Sequence, residues 1–277
     1  MNSESSQEQR SVATYDATFG LILPQFDWVP APRYLMRRER ILTFLQDQCP
    51  KGRLLEIGCG TGAMLEDFCR LGYTCDAVEI SEAALGIARS VHQGKEDLTL
   101  FNSFPDGKFE YYDVIVSCEV IEHIEDDITE LRKWGSALKK GGVLIISTPA
   151  NPKNFNALDR WAGHFRRYTK ASLGEICNKA GLHPERFEFY GYPLVELTEK
   201  IRGWLCERQL KRSEREKNLA MQEATEKSGI DRGVESKLFP LLNSFPGRLV
   251  FKQLLRLQKR YLHREIGNGM LCFAIKK

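Results

Sequence analysis

Residues Leu54-Leu55-Glu56-Ile57-Gly58-Cys59-Gly60-Thr61-Gly62 restrict the fold more than any other stretch of this chain. An apolar run of strand length breaks into three glycines at alternate positions, and helical periodicity follows over 63–71. Glycine reaches backbone angles closed to other residues and puts no side chain between main chain and ligand. A buried strand, a glycine turn and a helix open a βαβ unit, with the helix N-terminus behind the turn.

The rest of the chain repeats that rhythm. Short apolar runs at 53–57, 74–80, 98–101, 112–118 and 143–147 alternate with helical spacing at 63–71, 82–91 and 126–138. A helix at 171–180 leads to an extended 186–190, and a last strand at 270–275 lies far off. This pattern predicts an α/β fold around a parallel sheet. A polar arm at 1–12 and a helix at 34–45 come first. Residues 191–265 break the rhythm, with 16 Lys/Arg against 10 Asp/Glu. The expected division is an N-terminal arm and helices (1–50), a core (51–190), a helical basic insertion (191–265) and a final core strand (266–277).

Composition excludes several classes. Forty basic and 37 acidic side chains leave a formal charge of +3, too little to point to nucleic acid. No apolar run reaches the roughly 18–20 residues of a membrane span, and residues 1–10 lack the apolar core of a signal peptide. None of the eight cysteines forms a C-x-x-C pair, which argues against zinc and dithiol chemistry and fits a reducing cytoplasm.

Two ligand classes suit the glycine turn. Gly58, Gly60 and Ala63 satisfy the G-x-G-x-x-A of dinucleotide sites. Glu79, roughly 20 positions on, suits either class, because both offer ribose hydroxyls to a carboxylate. Glu56 separates them. A carboxylate two residues before the first glycine attracts an ammonium or sulfonium and repels a pyrophosphate.

The E-x-G-x-G-x-G run resembles motif I of the class I S-adenosylmethionine-dependent methyltransferases. The run from Tyr111 through Cys118 to Ile124 resembles that family's fourth strand and following loop. Leu138-Lys139-Lys140-Gly141-Gly142, continuing to Pro149, resembles its fifth-strand turn, and 269–275 suits its final strand. The resemblance implies a seven-stranded Rossmann-like sheet, mostly parallel with an antiparallel last strand. It further implies that Glu56, Gly58, Cys59, Gly60 and Gly62 receive the methionine part of S-adenosylmethionine. Glu79 would take the ribose, Ile80 the adenine, and Cys118 would lie where the fourth strand reaches the cofactor. Relatives often place an aspartate after the third strand, against the adenine amine; here Asn102-Ser103-Phe104 stands instead.

Methyl transfer from a sulfonium needs an aligned acceptor and, for a hydroxyl, removal of a proton. His123 is the candidate base, with a helix-bracing role as the alternative. Glu119, Glu122 and His123 form E-x-x-E-H, similar to a motif of magnesium-assisted quinone-biosynthesis O-methyltransferases and small-RNA 2′-O-methyltransferases. That resemblance adds His164 and leaves a divalent cation open, although the same run occurs in relatives with no metal role. Arg166 and Arg167, amid aromatics, suit either an anionic acceptor or pairing with surface carboxylates. The stretch 238–261 mixes apolar and basic residues, as a lid over the acceptor or as a peripheral membrane contact. The expected activity is O-methylation of a small or lipid-linked acceptor. RNA 2′-O-methylation, N-methylation and a non-catalytic cofactor-binding scaffold are the alternatives.

Overall fold

The alternating segments build one seven-stranded sheet in the computed structural model, which describes residues 13–195 and 233–277. A short antiparallel hairpin, β1 (Thr14–Asp16) and β2 (Gly20–Ile22), precedes α1 (Pro32–Gln48). The core then runs β3 (Arg53–Ile57), α2 (Ala63–Arg70), β4 (Thr74–Val78), α3 (Glu82–Val91), β5 (Leu98–Phe101) and β6 (Tyr112–Cys118). It continues with α4 (Asp127–Ala137), β7 (Leu138–Pro149), α5 (Ala157–Ala162), α6 (Lys170–Lys179) and β8 (Leu182–Tyr190). After the insertion helices α7 (Gly233–Asn243) and α8 (Phe245–Lys259), β9 (Gly269–Lys276) closes the chain.

The strand order is β5-β4-β3-β6-β7-β9-β8. Neighbours are parallel except that β9 runs antiparallel to both β7 and β8. From β3 the chain winds outward to β4 and β5, then returns to β6. The order therefore reverses between β3 and β6, and the crevice at their carboxyl ends is where such sheets bind ligands.

Strand periodicity of two sorts the core into two layers. Leu54, Val114, Val116, Ile145 and Phe273 face α1 and α2. Leu55, Ile115, Leu144, Ile146 and Cys272 face α4 and α6 around the buried Trp134. Two arginines fix α1 across the first layer. Arg38 donates twice to Asp67 of α2, from Nε and Nη2 at 2.6 Å each, and Arg40 pairs with Glu188 of β8 at 2.8 Å. Both acids are fully buried as side chains. These pairs lock register and orientation, because leaving either charge alone indoors is costly.

The part of the insertion within the described residues packs on the N-terminal segment. Phe19 meets Phe239 of α7 and Phe251 of α8, with ring centroids 5.4 and 6.1 Å apart. Gln258 accepts from the Gly191 amide at 2.8 Å and donates to the Met36 carbonyl at 3.1 Å. Residues 196–232, the remainder of the expected insertion, lie outside the described residues, as do 1–12. Three features were absent from the sequence expectation, the short helix α5 among them. The β1–β2 hairpin is only three pairs long, too short for a periodicity signal. Strand β7 begins at Leu138, because Leu138 pairs with Tyr112 ahead of an irregularity in the ladder.

Candidate active site

The carboxyl ends of β3, β4 and β6 bring the sequence candidates to one edge. Strand β3 leaves the sheet at Gly58, whose amide, like that of Cys59, donates to the Val78 carbonyl (2.8 and 3.1 Å). Gly58, Gly60 and Gly62 all have positive φ, between 56° and 75°. At Gly58 a Cβ would come within 2.4 Å of Val120, whereas at Gly60 it would meet no protein atom within 4 Å. Open space over Gly60 is what a backbone approached by a ligand requires.

Two carboxyl groups lie at that turn with different hydrogen bonding. Glu79 accepts from the Gly60 amide through Oε2 and from the Ser81 amide through Oε1, both at 2.8 Å. A carboxylate offers about four lone-pair sites, so roughly half its capacity stays open. Ile80 beside it is 83% exposed and presents an apolar surface. Glu56 is buried, and its Oε2 has no hydrogen-bond partner. Burial pushes its carboxyl well above the ordinary range, against the pull of Arg37. A buried carboxyl left without a partner is costly to the fold, which marks Glu56 as a candidate ligand-binding residue.

Cys59 and Cys118 are buried, and burial raises both thiols, Cys118 to about 12. Raised and buried, neither thiol suits a nucleophile. Glu119, next along, has φ +58°, and this left-handed turn swings its side chain toward α1. There Arg33 lies at 2.7 Å and Arg37 at 3.2 Å, with the Ser147 and Tyr190 hydroxyls donating at 2.9 and 3.0 Å. Burial would raise the Glu119 carboxyl, but the two arginines hold it at about 2.

Glu122, His123 and His164 come together, with one potential ligand atom from each all lying within 4.8 Å of one another. The two imidazoles meet edge to face at 4.6 Å. His164 Nδ1 sits 2.9 Å from Asp159, which Arg167 also clasps. Glu122 Oε1 and His123 Nδ1 are buried without partners. Burial and the neighbouring His164 push His123 down to about 4, so its ring is neutral at physiological pH. This donor set fits a divalent cation through three residues. The expected fourth, Glu119, is a correction: its backbone turn commits it to Arg33 and Arg37.

The expectation of an acceptor-binding arginine pair also meets its pairing alternative. Arg166 donates to Asp127 and the Glu125 carbonyl, and Arg167 is buried among Asp159, Asn268 and the Ala150 carbonyl. The arginines at the edge are instead Arg33 and Arg37, which the sequence reading missed. Their only signal was i, i+4 spacing on one face of a predicted helix.

A family described as "Methyltransferase domain" matches residues 31–186. The chain belongs to that family. The ubiquinone biosynthesis O-methyltransferase of Dinoroseobacter shibae is 30% identical over 150 residues, which are 48% of this chain and 60% of that protein. The protein of the same name from Ruegeria sp. strain TM1040 is 33% identical over 162 residues, 52% and 65% of the two chains. The match thus spans about three-fifths of these curated relatives.

Solved structures place the methyltransferase fold beyond this alignment. The Haemonchus contortus phosphoethanolamine N-methyltransferase 2, solved with S-adenosyl-L-methionine, superposes with TM-score 0.52 at 16% identity, over 87% of this chain and 52% of its own. The [4+2]-cyclase SpnF superposes with TM-score 0.57 at 14% identity, over 95% and 87%. A cyclase among the neighbours shows that the fold alone does not set the reaction. In this methyltransferase domain the residues at the edge must carry that argument.

Proposed function

We propose that this chain is an S-adenosylmethionine-dependent methyltransferase acting on a hydroxyl of a small or lipid-linked metabolite. The observation that carries the reading is Glu56, a buried carboxyl with a vacant oxygen beside three positive-φ glycines. A pyrophosphate would meet repulsion there once Glu56 ionised, whereas a cationic ligand end would lower its pKa and pair with it. Glu79 has lone pairs free for two ribose hydroxyls. Gly58, Cys59, Gly60 and Gly62 line the path between the two carboxylates, Ile80 offers a face to the adenine, and Cys118 closes the side. S-adenosylmethionine supplies an electrophilic methyl group on sulfur, so the protein needs no nucleophile of its own.

The residues then have two tasks: to align the acceptor and to take its proton. His123 is the proposed acceptor for that proton: its ring is neutral at working pH, and a bound acceptor must raise the basicity that burial and His164 lower. The O-methyltransferase names of the curated relatives support a hydroxyl over an amine. Residues 51–190 and 266–277 form the catalytic core in this reading, and the described helices of the insertion, from 233 on, wall the acceptor side. Ser236 of α7 donates to the Asp27 carbonyl, next to the Trp28–Tyr34 ring pair that leads to Arg33.

The trio Glu122, His123 and His164 would be the holders of any divalent cation, whose chemistry would be to acidify the acceptor hydroxyl. The expected outcome is nevertheless unchanged turnover after EDTA treatment. Activity lost to EDTA and restored by magnesium would assign the trio to a cation.

The deciding experiment incubates enzyme and S-adenosylmethionine with a cell extract and follows metabolites by mass spectrometry. The expected product gains one methyl in place of one hydrogen at oxygen. Methyl gain found only in ribonuclease-sensitive material would move the acceptor to RNA, and no transfer at all would leave a cofactor-binding scaffold.

A further inference from the structure

Four of the largest exposed apolar side chains gather where α7 meets α8: Leu241, Phe245, Leu249 and Val250, with Phe245 78% exposed. Soluble monomers seldom leave such a group uncovered without a use. Along α8, Phe245, Leu249, Lys252, Arg256 and the C-cap Arg260 recur at three- and four-residue steps and are all exposed, so they share one outward face. The opposite face, with Phe251 and Gln258, is buried against Phe19 and Met36. The outward face is thus apolar at its first end and cationic over its remaining length, about 22 Å in all.

Charge identifies the occupant. From residue 236 to residue 264 the chain has seven Lys/Arg and no Asp or Glu. Arg248 and Lys259 are taken by Asp16 and Glu39, while Lys252, Arg256 and Arg260 have no acidic partner among the described residues. Two copies meeting through this face would press like charges together. An anionic bilayer would receive the apolar tip among its headgroups and the cations against its phosphates.

We infer that the outer face of α7–α8 docks this protein on anionic membrane. The inference rests on the lipid-linked reading of the acceptor for its use, but its test reads binding, so either can fail alone. No helix among the described residues is long and apolar enough to cross a membrane, so the contact is peripheral.

The test is co-sedimentation of the full chain with phosphatidylglycerol–phosphatidylcholine vesicles and with phosphatidylcholine vesicles alone. Binding is expected only to the anionic vesicles and should fade as salt shortens the range of the charges. Each cation near an anionic leaflet raises partitioning about fivefold, so Lys252→Glu/Arg256→Glu/Arg260→Glu should cost at least roughly a hundredfold. Phe245→Ser/Leu249→Ser should weaken binding while leaving the melting temperature and S-adenosylhomocysteine affinity unchanged. No binding to anionic vesicles, or full binding by the charge-reversed variant, overturns the inference. So does a dimer in solution that Phe245→Ser/Leu249→Ser disperses, which would make the face a homomeric interface.

Discussion

Replacing Glu79 tests the cofactor cradle most directly. In the structure its carboxylate already accepts two amides, from Gly60 and Ser81, at 2.8 Å. The remaining lone pairs are those proposed for two ribose hydroxyls. Hydrogen bonds to a charged group contribute about 1.5–3 kcal/mol each. Water satisfies the same lone pairs in the free protein and the two bonds share one anion, so the joint loss in Glu79→Ala is about 2–4 kcal/mol. That corresponds to about 30- to 1,000-fold in dissociation constant. Glu79→Gln keeps one acceptor oxygen and should fall between wild type and alanine. Calorimetry with S-adenosylhomocysteine reads both, and a thermal melt of the unliganded variants checks folding. A well-folded Glu79→Ala that binds within threefold of wild type would refute the assignment, because among the described residues Glu79 is the carboxylate that accepts from the Gly60 amide.

Two further perturbations probe the frame around the site. Glu119 has its ordinary 4.5 lowered to about 2, so it stabilises the fold above pH 4.5 and loses that contribution as pH falls toward 2. Glu119→Gln should therefore be less stable than wild type near neutrality, with the gap in urea midpoint closing on acidification; a constant gap would count against the arginine pairing as its cause. Arg40→Met strips one partner from the fully buried Glu188, which Arg186 still contacts. A loss of about 2–4 kcal/mol in urea unfolding is expected, short of a fully unpaired buried charge, and a loss under about 1 kcal/mol would show that Arg186 suffices.

The sheet and its glycine turn were readable because their physics is local. Strands such as β6 are buried on both faces and show as unbroken apolar runs. The glycines mark positive φ, and the winding of βαβ units then dictates which strand ends meet. Glu56, Glu79, Cys118 and His123 fall at one sheet edge for that reason. The insertion was visible as a change in charge and rhythm, but its docking on Phe19 was not, since that contact joins segments more than two hundred positions apart. Arg33 and Arg37 were missed on similar grounds. Their partner Glu119 is distant in sequence, and its spacing to Glu122 and His123 suggested one ligand set.

The positive φ at Glu119 accounts for that error and also sharpens the functional argument. It divides the acids of the edge by protonation state. Glu119 turns toward two guanidiniums and is held ionised, so its charge is already spent within the fold. Glu56, one strand over, feels Arg37 without a hydrogen bond on Oε2 and is pushed toward the neutral form by burial. In the proposed reading a cation entering the edge pairs with Glu56, and its arrival should release a proton where one is bound. In the proposed reading, preference for a positively charged ligand end follows from which carboxylate the arginines do not hydrogen-bond. The motif places Glu56 at the edge, while α1, through Arg33 and Arg37, leaves it vacant.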